Sequence, residues 1–205
     1  MSLYAIKPKF QALLRPCTSK LAQKGITANQ VTLSAMIISV LLGALLYFAS
    51  YPVLFLLIPV WFCIRMAFNA VDGMLAREFG QKSHLGAYLN ELGDVISDTA
   101  LYLPFLHLPF FSAPLLSAII ILSILSEFVG IMGPVIGAER RYDGPFGKSD
   151  RALAFSLVAL IAVFVNPLPE WLFTLPILFI VLLLITIVNR IRAAIRQAAQ
   201  IPENS

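Results

Sequence analysis

Charge is scarce in this chain. Its 205 residues include 15 Lys and Arg and 11 Asp and Glu, 13% in all, against a hydrophobic share of 59%. Soluble domains carry about 25% charged residues, so a water-soluble globular enzyme is excluded. The scarcity is uneven: residues 25–64, 99–126 and 171–189 hold no charge at all. A membrane-crossing helix takes about 20 apolar residues, so the first of these runs has room for two. Cysteine is nearly missing, and Cys17 and Cys63 are too few for a disulfide framework. With only His84 and His107, no His/Cys cluster of the zinc-binding kind can form. No short apolar core with a small-residue cleavage site follows the early basic residues, so a cleaved signal peptide is not expected.

What is there reads as an all-α integral membrane protein. Six transmembrane helices fall near 29–50, 53–79, 86–107, 113–136, 150–166 and 170–196. The breaks between spans lie at Tyr51-Pro52, the stretch His107–Pro114 and Asn166-Pro-Leu-Pro-Glu170, where proline removes backbone donors. The first 24 residues mix Leu3, Ile6, Phe10, Leu13, Leu14 and Leu21 with Lys7, Lys9, Arg15, Lys20 and Lys24. That pattern predicts an amphipathic interfacial helix on an anionic lipid bilayer, interrupted at Pro8 and Pro16. The domains are then 1–25, an interfacial segment; 26–198, the six-helix domain; and 199–205, a cytoplasmic tail. Fourteen basic residues lie before the first span, in the second and fourth loops, or at the C-terminal end, and only Arg65 lies within a span. By the positive-inside rule that side is cytoplasmic, with both termini on it. The net charge of +4 is accounted for by these flanking residues, and no nucleic acid partner is expected.

The polar residues that remain are ordered. Asn69, Asp72, Gly73, Ala76 and Arg77 step along the second span, and Gly86, Asn90, Asp94 and Asp98 along the third. Residues three and four apart share a helix face, and a short loop makes the two helices antiparallel neighbours, so the stripes can face one another. At about 1.5 Å of rise per residue, Asp72 and Asn90 lie roughly 6–8 Å inside the cytoplasmic boundary and Asp94 about 12 Å. A carboxylate at the centre of a membrane helix costs about 2.5–3.5 kcal/mol on insertion scales, which points to a cation and a charged substrate. Such oxygen ligands suit Mg²⁺, Mn²⁺ or Ca²⁺. Gly73, Ala76 and Gly86 either let the helices pack closely or let a base or phosphate approach the backbone. Glu91 adjoins Asn90 but points about 100° away on a helix.

This spacing resembles the signature of the CDP-alcohol phosphotransferases, Asp-x2-Asp-Gly-x2-Ala-Arg-x8-Gly-x3-Asp-x3-Asp. The match is in register from Asn69 to Asp94 and keeps Asp72, Gly73, Ala76, Arg77, Gly86 and Asp94. It extends to the six-helix layout, to Thr27-Ala-Asn29-Gln-Val-Thr32, and to Gly147-Lys148, which is similar to a basic pair that helps hold phosphate in relatives. The resemblance implies a phosphatidyltransferase of the inner membrane of a bacterium, with its active site facing the cytoplasm. It would move a phosphatidyl group from CDP-diacylglycerol to an alcohol or phosphorylated alcohol, release CMP, and form a homodimer. Asp72 and Asp94 would be metal ligands with Asn69 and Asn90 beside them, and Asp94 the general base. Asp72, Gly73, Ala76, Arg77 and Gly86 would bind nucleotide. Two positions depart from the signature: Asn69 and Asn90 stand where it has aspartate. They bring oxygen without charge, so one or two ions of Mg²⁺ or Mn²⁺ are implied. They also motivate the alternative of a weak or inactive CDP-lipid-binding homologue. A transporter is the third reading, against which the ordered signature and the lack of an inverted repeat argue.

The charges outside the signature have two readings each. Arg65 and Asp98 lie at similar depth, so they pair, with Glu127 as a possible third member, or they floor the head-group pocket. Lys148 and Arg151 either bind a phosphate or the acceptor, or anchor the fifth span at the interface. Ser149 or Asp150 would cap that span. Arg140, Arg141, Arg190 and Arg192 read as determinants of topology.

Overall fold

The computed structural model describes residues 6–49 and 51–200, with side chains from Phe10 onward. Residues 1–5 of the interfacial segment and 201–205 of the tail therefore lie outside the described residues. The chain is all-helical, 82% helix, with no strand among the described residues. Seven α-helices run in order: α1 (Ile6–Gln23), α2 (Ala28–Ala49), α3 (Leu57–Glu78), α4 (His84–Tyr102), α5 (Ala113–Ile131), α6 (Lys148–Phe164) and α7 (Leu175–Ala198). Short 3₁₀ turns at Pro52–Leu56, Leu103–His107, Gly133–Ile136 and Glu170–Thr174 occupy the ends of four of the expected spans. Each contains or follows a proline, which removes one donor of the α pattern there.

Four segments are long and apolar enough to cross a membrane: Ala28–Ala49, Pro52–Glu78, Ala113–Ile131 and Glu170–Ala198. The two other expected spans are more polar. α4 holds Glu91, Asp94 and Asp98, and the 17-residue α6 opens on Lys148, Asp150 and Arg151.

The helices group into two compact units. The first runs through α1 and α2 to Phe48 and resumes from Val60 to Leu101; the second comprises Ala49–Pro59 and the chain from Tyr102 onward. In the first unit, α1 is one continuous helix despite its prolines. Pro8 falls in the first turn, where the missing N–H has no helical partner to lose, and Pro16 forgoes one bond. Packing offsets that loss: Leu14, Leu21, Ala22 and Ile26 meet Ala28, Val31, Val71 and Leu75. Arg15 also reaches Glu78 at 3.0 Å. The start of α2 is a reciprocal cap, with Gln30 N–H donating to Thr27 Oγ1 at 3.2 Å and Thr27 N–H to Gln30 Oε1 at 2.9 Å. Farther along, Trp61 Nε1 donates to Ser39 Oγ at 2.8 Å, and Gly43 lets α2 cross α4 at backbone contact. A Cβ on Gly43 would overlap the Ala100 carbonyl.

In the second unit α5 packs along α7, over a core in which Tyr102 stacks on Phe155 at 4.0 Å and Phe105, Phe111 and Phe179 close round it. The segment between α5 and α6 is pinned to α5 and α7. Arg141 N–H donates to Gly130 O at 2.9 Å, Arg141 Nη1 to Gln197 Oε1 at 2.8 Å, and Phe146 N–H to Thr186 Oγ1 at 3.0 Å. The N-cap of the fifth span is Gly147, and not Ser149 or Asp150; Asp150, at the third position of α6, reaches back so that its Oδ2 accepts from Gly147 N–H at 2.9 Å.

Gly43→Ala should force α2 and α4 apart, an overpacking cost of about 1–3 kcal/mol. A melting temperature in detergent lowered by several degrees is expected; an unchanged one would show that the crossing yields freely.

Candidate active site

α3 and α4 place the polar positions on two faces of the first unit, each fixed by residues outside the signature. Asp72 is 7% exposed, and its Oδ2 accepts a hydrogen bond from the Thr32 hydroxyl of α2 at 2.8 Å. Bonds to an ionised acceptor are among the stronger ones, so Thr32 sets the rotamer of a carboxylate that α3 presents. The start of α2 is held in turn by the α3–α4 connection: Ala28 N–H donates to Gln81 Oε1 at 2.7 Å. Ser83 caps α4, its Oγ accepting from Gly86 N–H at 2.9 Å.

The two signature glycines are both crowded. A Cβ on Gly86 would lie 2.8 Å from Asn29 Oδ1 and 3.0 Å from Ser83 Oγ. A Cβ on Gly73 would lie 2.9 and 3.1 Å from the two terminal nitrogens of Arg77. Arg77 therefore folds back one turn over Gly73, so these two residues form one element. Ala76 packs against the Val71–Leu75 side of the helix. Asn69 and Asn90 are half-buried, and Asn90 Nδ2 lies 3.5 Å from Glu91 Oε1, the outer limit of a hydrogen bond. Glu91 thus bends back toward the amide that the helical wheel turned it from.

Arg65 and Asp98 pair as expected, and the structure adds Asp94 to them. One guanidinium nitrogen of Arg65 meets Asp98 Oδ1; the other lies 3.1 Å from both Asp94 Oδ1 and the Asp94 carbonyl. The side chains of Arg65, Asp98 and Asp94 are 4%, 8% and 19% exposed. One planar guanidinium spans both carboxylates, so the expected pair also reaches the signature residue Asp94.

Glu127, a possible third member of that group by sequence, has two guanidinium partners of its own. In the second unit it pairs with Arg151 at 3.0 Å and Arg190 at 3.5 Å. Arg151 also donates to Ser126 Oγ and the Phe146 carbonyl, and Arg190 to the Ser126 carbonyl. Arg151 and Arg190 are 1% and 2% exposed, so Arg190 is a buried structural cation and not a surface topology determinant. The available signal was Glu127 itself, an acid inside an apolar run that needs a counter-charge. Lys148 is half-buried at the first position of α6.

Outside the helices, Arg141 forks onto both oxygens of Asp143 at 2.9 and 3.0 Å. These hydrogen bonds hold the Asp143 carboxyl below its usual value against partial desolvation, and raise the Arg141 guanidinium.

Residues 25–189 match the family CDP-alcohol phosphatidyltransferase. The chain belongs to that family. It is 50% identical over 201 residues to the inner membrane protein YnbA of Escherichia coli K12, covering 98% of this chain and all of that protein. It is 30% identical over 99 residues to the archaetidylinositol phosphate synthase of Pyrococcus horikoshii, about half of each chain. Its fold is that of the phosphatidylinositol phosphate synthase PgsA1 of Mycobacterium tuberculosis. One such structure, in complex with manganese and citrate, has a TM-score of 0.67 and 22% identity, over 92% of this chain and 90% of that one. Another, with CDP-DAG bound, has a TM-score of 0.66 and 19% identity, over 92% and 94%.

A divalent cation fits this site in a restricted way. Asp72 and Asp94, with the amide oxygens of Asn69 and Asn90, make an all-oxygen donor set of the kind hard cations take. Two carboxylates balance one such charge. Among the described residues, no three His, Cys, Asp or Glu side chains form a metal-holding group.

Glu127→Gln should remove the carboxylate that Arg151 and Arg190 share, a loss of about 3–5 kcal/mol, read as a fall in folded yield. Adding Arg190→Met should recover part of it; no recovery would mean that the pair is not coupled. Asp143→Asn should lower the melting temperature at neutral pH. Because the folded carboxyl titrates below the unfolded one, its contribution is present above the ordinary carboxylate value and lost as pH falls through the folded one. The gap to wild type should therefore close below about pH 4. A gap independent of pH would remove the charge from the explanation.

Proposed function

We propose that this chain is a phosphatidyltransferase that uses CDP-diacylglycerol, releases CMP, and leaves a phospholipid with a new head group. The observation that carries this reading is the held pair of carboxylates: Asp72 set by Thr32 and Asp94 set by Arg65, in signature register on α3 and α4. Family membership supports the reaction class. The PgsA1 structures, in complex with manganese and with CDP-DAG, make a divalent ion and this lipid the first ligands to test.

In this reading, Gly73, Ala76, Arg77 and Gly86 bind the cytidine and its phosphates, with the side chains of Arg77 and Asn29 that now cover the two glycines giving way and Arg77 contributing charge at the same place. Asp72 and Asp94, with Asn69 and Asn90, would hold the ion, Mg²⁺ or Mn²⁺, which when bound neutralises pyrophosphate charge. Asp94 takes the proton of the acceptor hydroxyl as its oxygen attacks the phosphorus attached to the lipid. The bond from that phosphorus to the bridging oxygen breaks, and CMP carries the electron pair away. Positioning and charge neutralisation are the main demands of such a transfer, and an apolar setting strengthens both. Lys148 is the candidate contact for a phosphate on the lipid or the acceptor, with Arg151 behind it in the Glu127 cluster.

The membrane reading keeps six spans, α2 to α7, with α1 on the surface and both termini and the site cytoplasmic. It retains the division at 25 and 198, and a homodimer. α4 supports this despite its charge: Leu85, Tyr88, Leu92, Ile96 and Leu103 are exposed at steps that mark one apolar face, while Asp94 and Asp98 turn inward. YnbA, an inner membrane protein by name, supports a bacterial inner membrane. Asn69 and Asn90 favour one rival reading, a CDP-lipid-binding homologue with little or no activity.

Purified protein given CDP-diacylglycerol and a panel of alcohols and phosphorylated alcohols should release CMP in a manner dependent on divalent metal. Asp94→Asn should reduce the rate at least 100-fold, the lower range for loss of a general base. Thr32→Val should reduce it about 10-fold, for one charge-assisted bond worth roughly 1.5 kcal/mol. No release with any acceptor, and binding of CDP-diacylglycerol retained, would establish the rival.

A further inference from the structure

On each helix the stripe of signature residues is extended by one turn, and the extension is a charge outside the signature. Arg65 precedes Asn69 by four residues on α3, and Asp98 follows Asp94 by four on α4, so each shares the face of its neighbour. The structure joins the two ends. One guanidinium nitrogen of Arg65 meets Asp98 Oδ1, and the other lies 3.1 Å from both the Asp94 carbonyl and Asp94 Oδ1. A single nitrogen that holds a carbonyl and a carboxylate oxygen of one residue fixes that side chain against its own backbone. The helix closes the circuit, because the Asp94 carbonyl is the acceptor for the Asp98 N–H in the i→i−4 pattern. The side chains of Arg65 and Asp98 are 4% and 8% exposed and that of Asp94 is 19%. Asp94 is thus the member open to a ligand, and the other two lie behind it.

We infer that Asp98 is a positioning residue: it anchors Arg65, whose guanidinium in turn sets the Asp94 carboxylate, and it contacts neither the ion nor the acceptor itself. The inference rests on the reading of Asp94 as a divalent-cation ligand and extends it to a residue the signature does not contain. A guanidinium suits the middle place because its planar fork meets two acceptors at fixed angles, whereas an ammonium is a point charge on a flexible stem. Partners one step removed from a ligand typically change metal affinity or activity about 10–100-fold when they are altered. If Asp98 instead floored the head-group pocket, altering it would act on the acceptor and leave the ion as it was.

The test is a Mn²⁺ titration of the purified full chain in detergent, followed by electron paramagnetic resonance, with no lipid substrate added. Asp98→Glu and Arg65→Lys both keep their charge, so a change in affinity reports geometry. Each should weaken Mn²⁺ binding about tenfold, the lower end of the range for such partners. The double variant should be no weaker than either single one, because the two residues act in one chain. Should Asp98→Glu not fold, Asp98→Asn takes its place in the same cycle. Gly43→Ala loosens the α2–α4 crossing without touching the circuit, and should bind Mn²⁺ as wild type does. Where CMP release is measured, Asp98→Glu should lower kcat and leave the acceptor KM unchanged. Unchanged Mn²⁺ affinity in the single variants, losses that add in the double one, an equal loss in Gly43→Ala, or a raised acceptor KM at unchanged kcat would overturn the inference. So would a wild type that binds no Mn²⁺. Absence of CMP release in wild type would defeat the proposed activity alone, since the Mn²⁺ affinities do not depend on turnover.

Discussion

Every ionised group inside these apolar helices must have a counter-charge, and the arrangement of the molecule follows from how few are supplied. An unpaired buried ion costs several kcal/mol, a large part of the 5–15 kcal/mol by which a protein is stable. In the first unit one guanidinium serves two carboxylates; in the second one carboxylate serves two guanidiniums. Both solutions depend on the planar fork of arginine, which spans two partners where a lysine ammonium would meet one. Carbonyls and hydroxyls of neighbouring turns complete the coordination, as Ser126 and Phe146 do around Arg151 and Arg190. These networks constrain helix rotation, because turning α4 by one residue would separate Asp94 and Asp98 from Arg65.

Close packing is the second requirement, and small residues meet it where charge does not. α2 reaches α4 through Gly43 and lies near Gly93, where Thr32 and Met36 pack at ordinary contact distance. That approach brings the Thr32 hydroxyl to Asp72. The positions that make the helices adhere are thus the ones that fix the acidic side chains, so stability and site geometry have the same origin. Signature residues supply the reactive groups, while Thr32, Asn29, Ser83 and Gln81 hold the frame around them.

Much of this was legible in the sequence. The charge-free runs located the helices, the Thr27–Gln30 cap marked the entry to α2, and the signature register identified the family. Equal depth on antiparallel neighbours was enough to pair Arg65 with Asp98. Three features were not legible, each for a physical reason. The 3₁₀ turns at span ends depend on local geometry at proline that periodicity does not encode. The continuity of α1 through Pro16 depends on packing against α2 and α3 that compensates a lost bond. The partners of Glu127 depend on which helices are neighbours, and for spans joined by long connections depth alone does not say. The guanidiniums that meet Glu127 come from α6 and α7.

The two asparagines look different once Arg65 is placed. Taken alone, an amide in place of a carboxylate weakens a cation site, and two of them suggest decay. Yet Arg65, one turn from Asn69 and with its side chain 4% exposed, holds Asp94 through both its carboxylate and its carbonyl. Burying a cation costs free energy unless its geometry is kept, and here that geometry fixes an acid of the signature. The amide oxygens still offer lone pairs to a hard cation, and Arg65 still fixes Asp94. The two amides therefore stand among acids whose geometry is still fixed, Asp72 by Thr32 and Asp94 by Arg65.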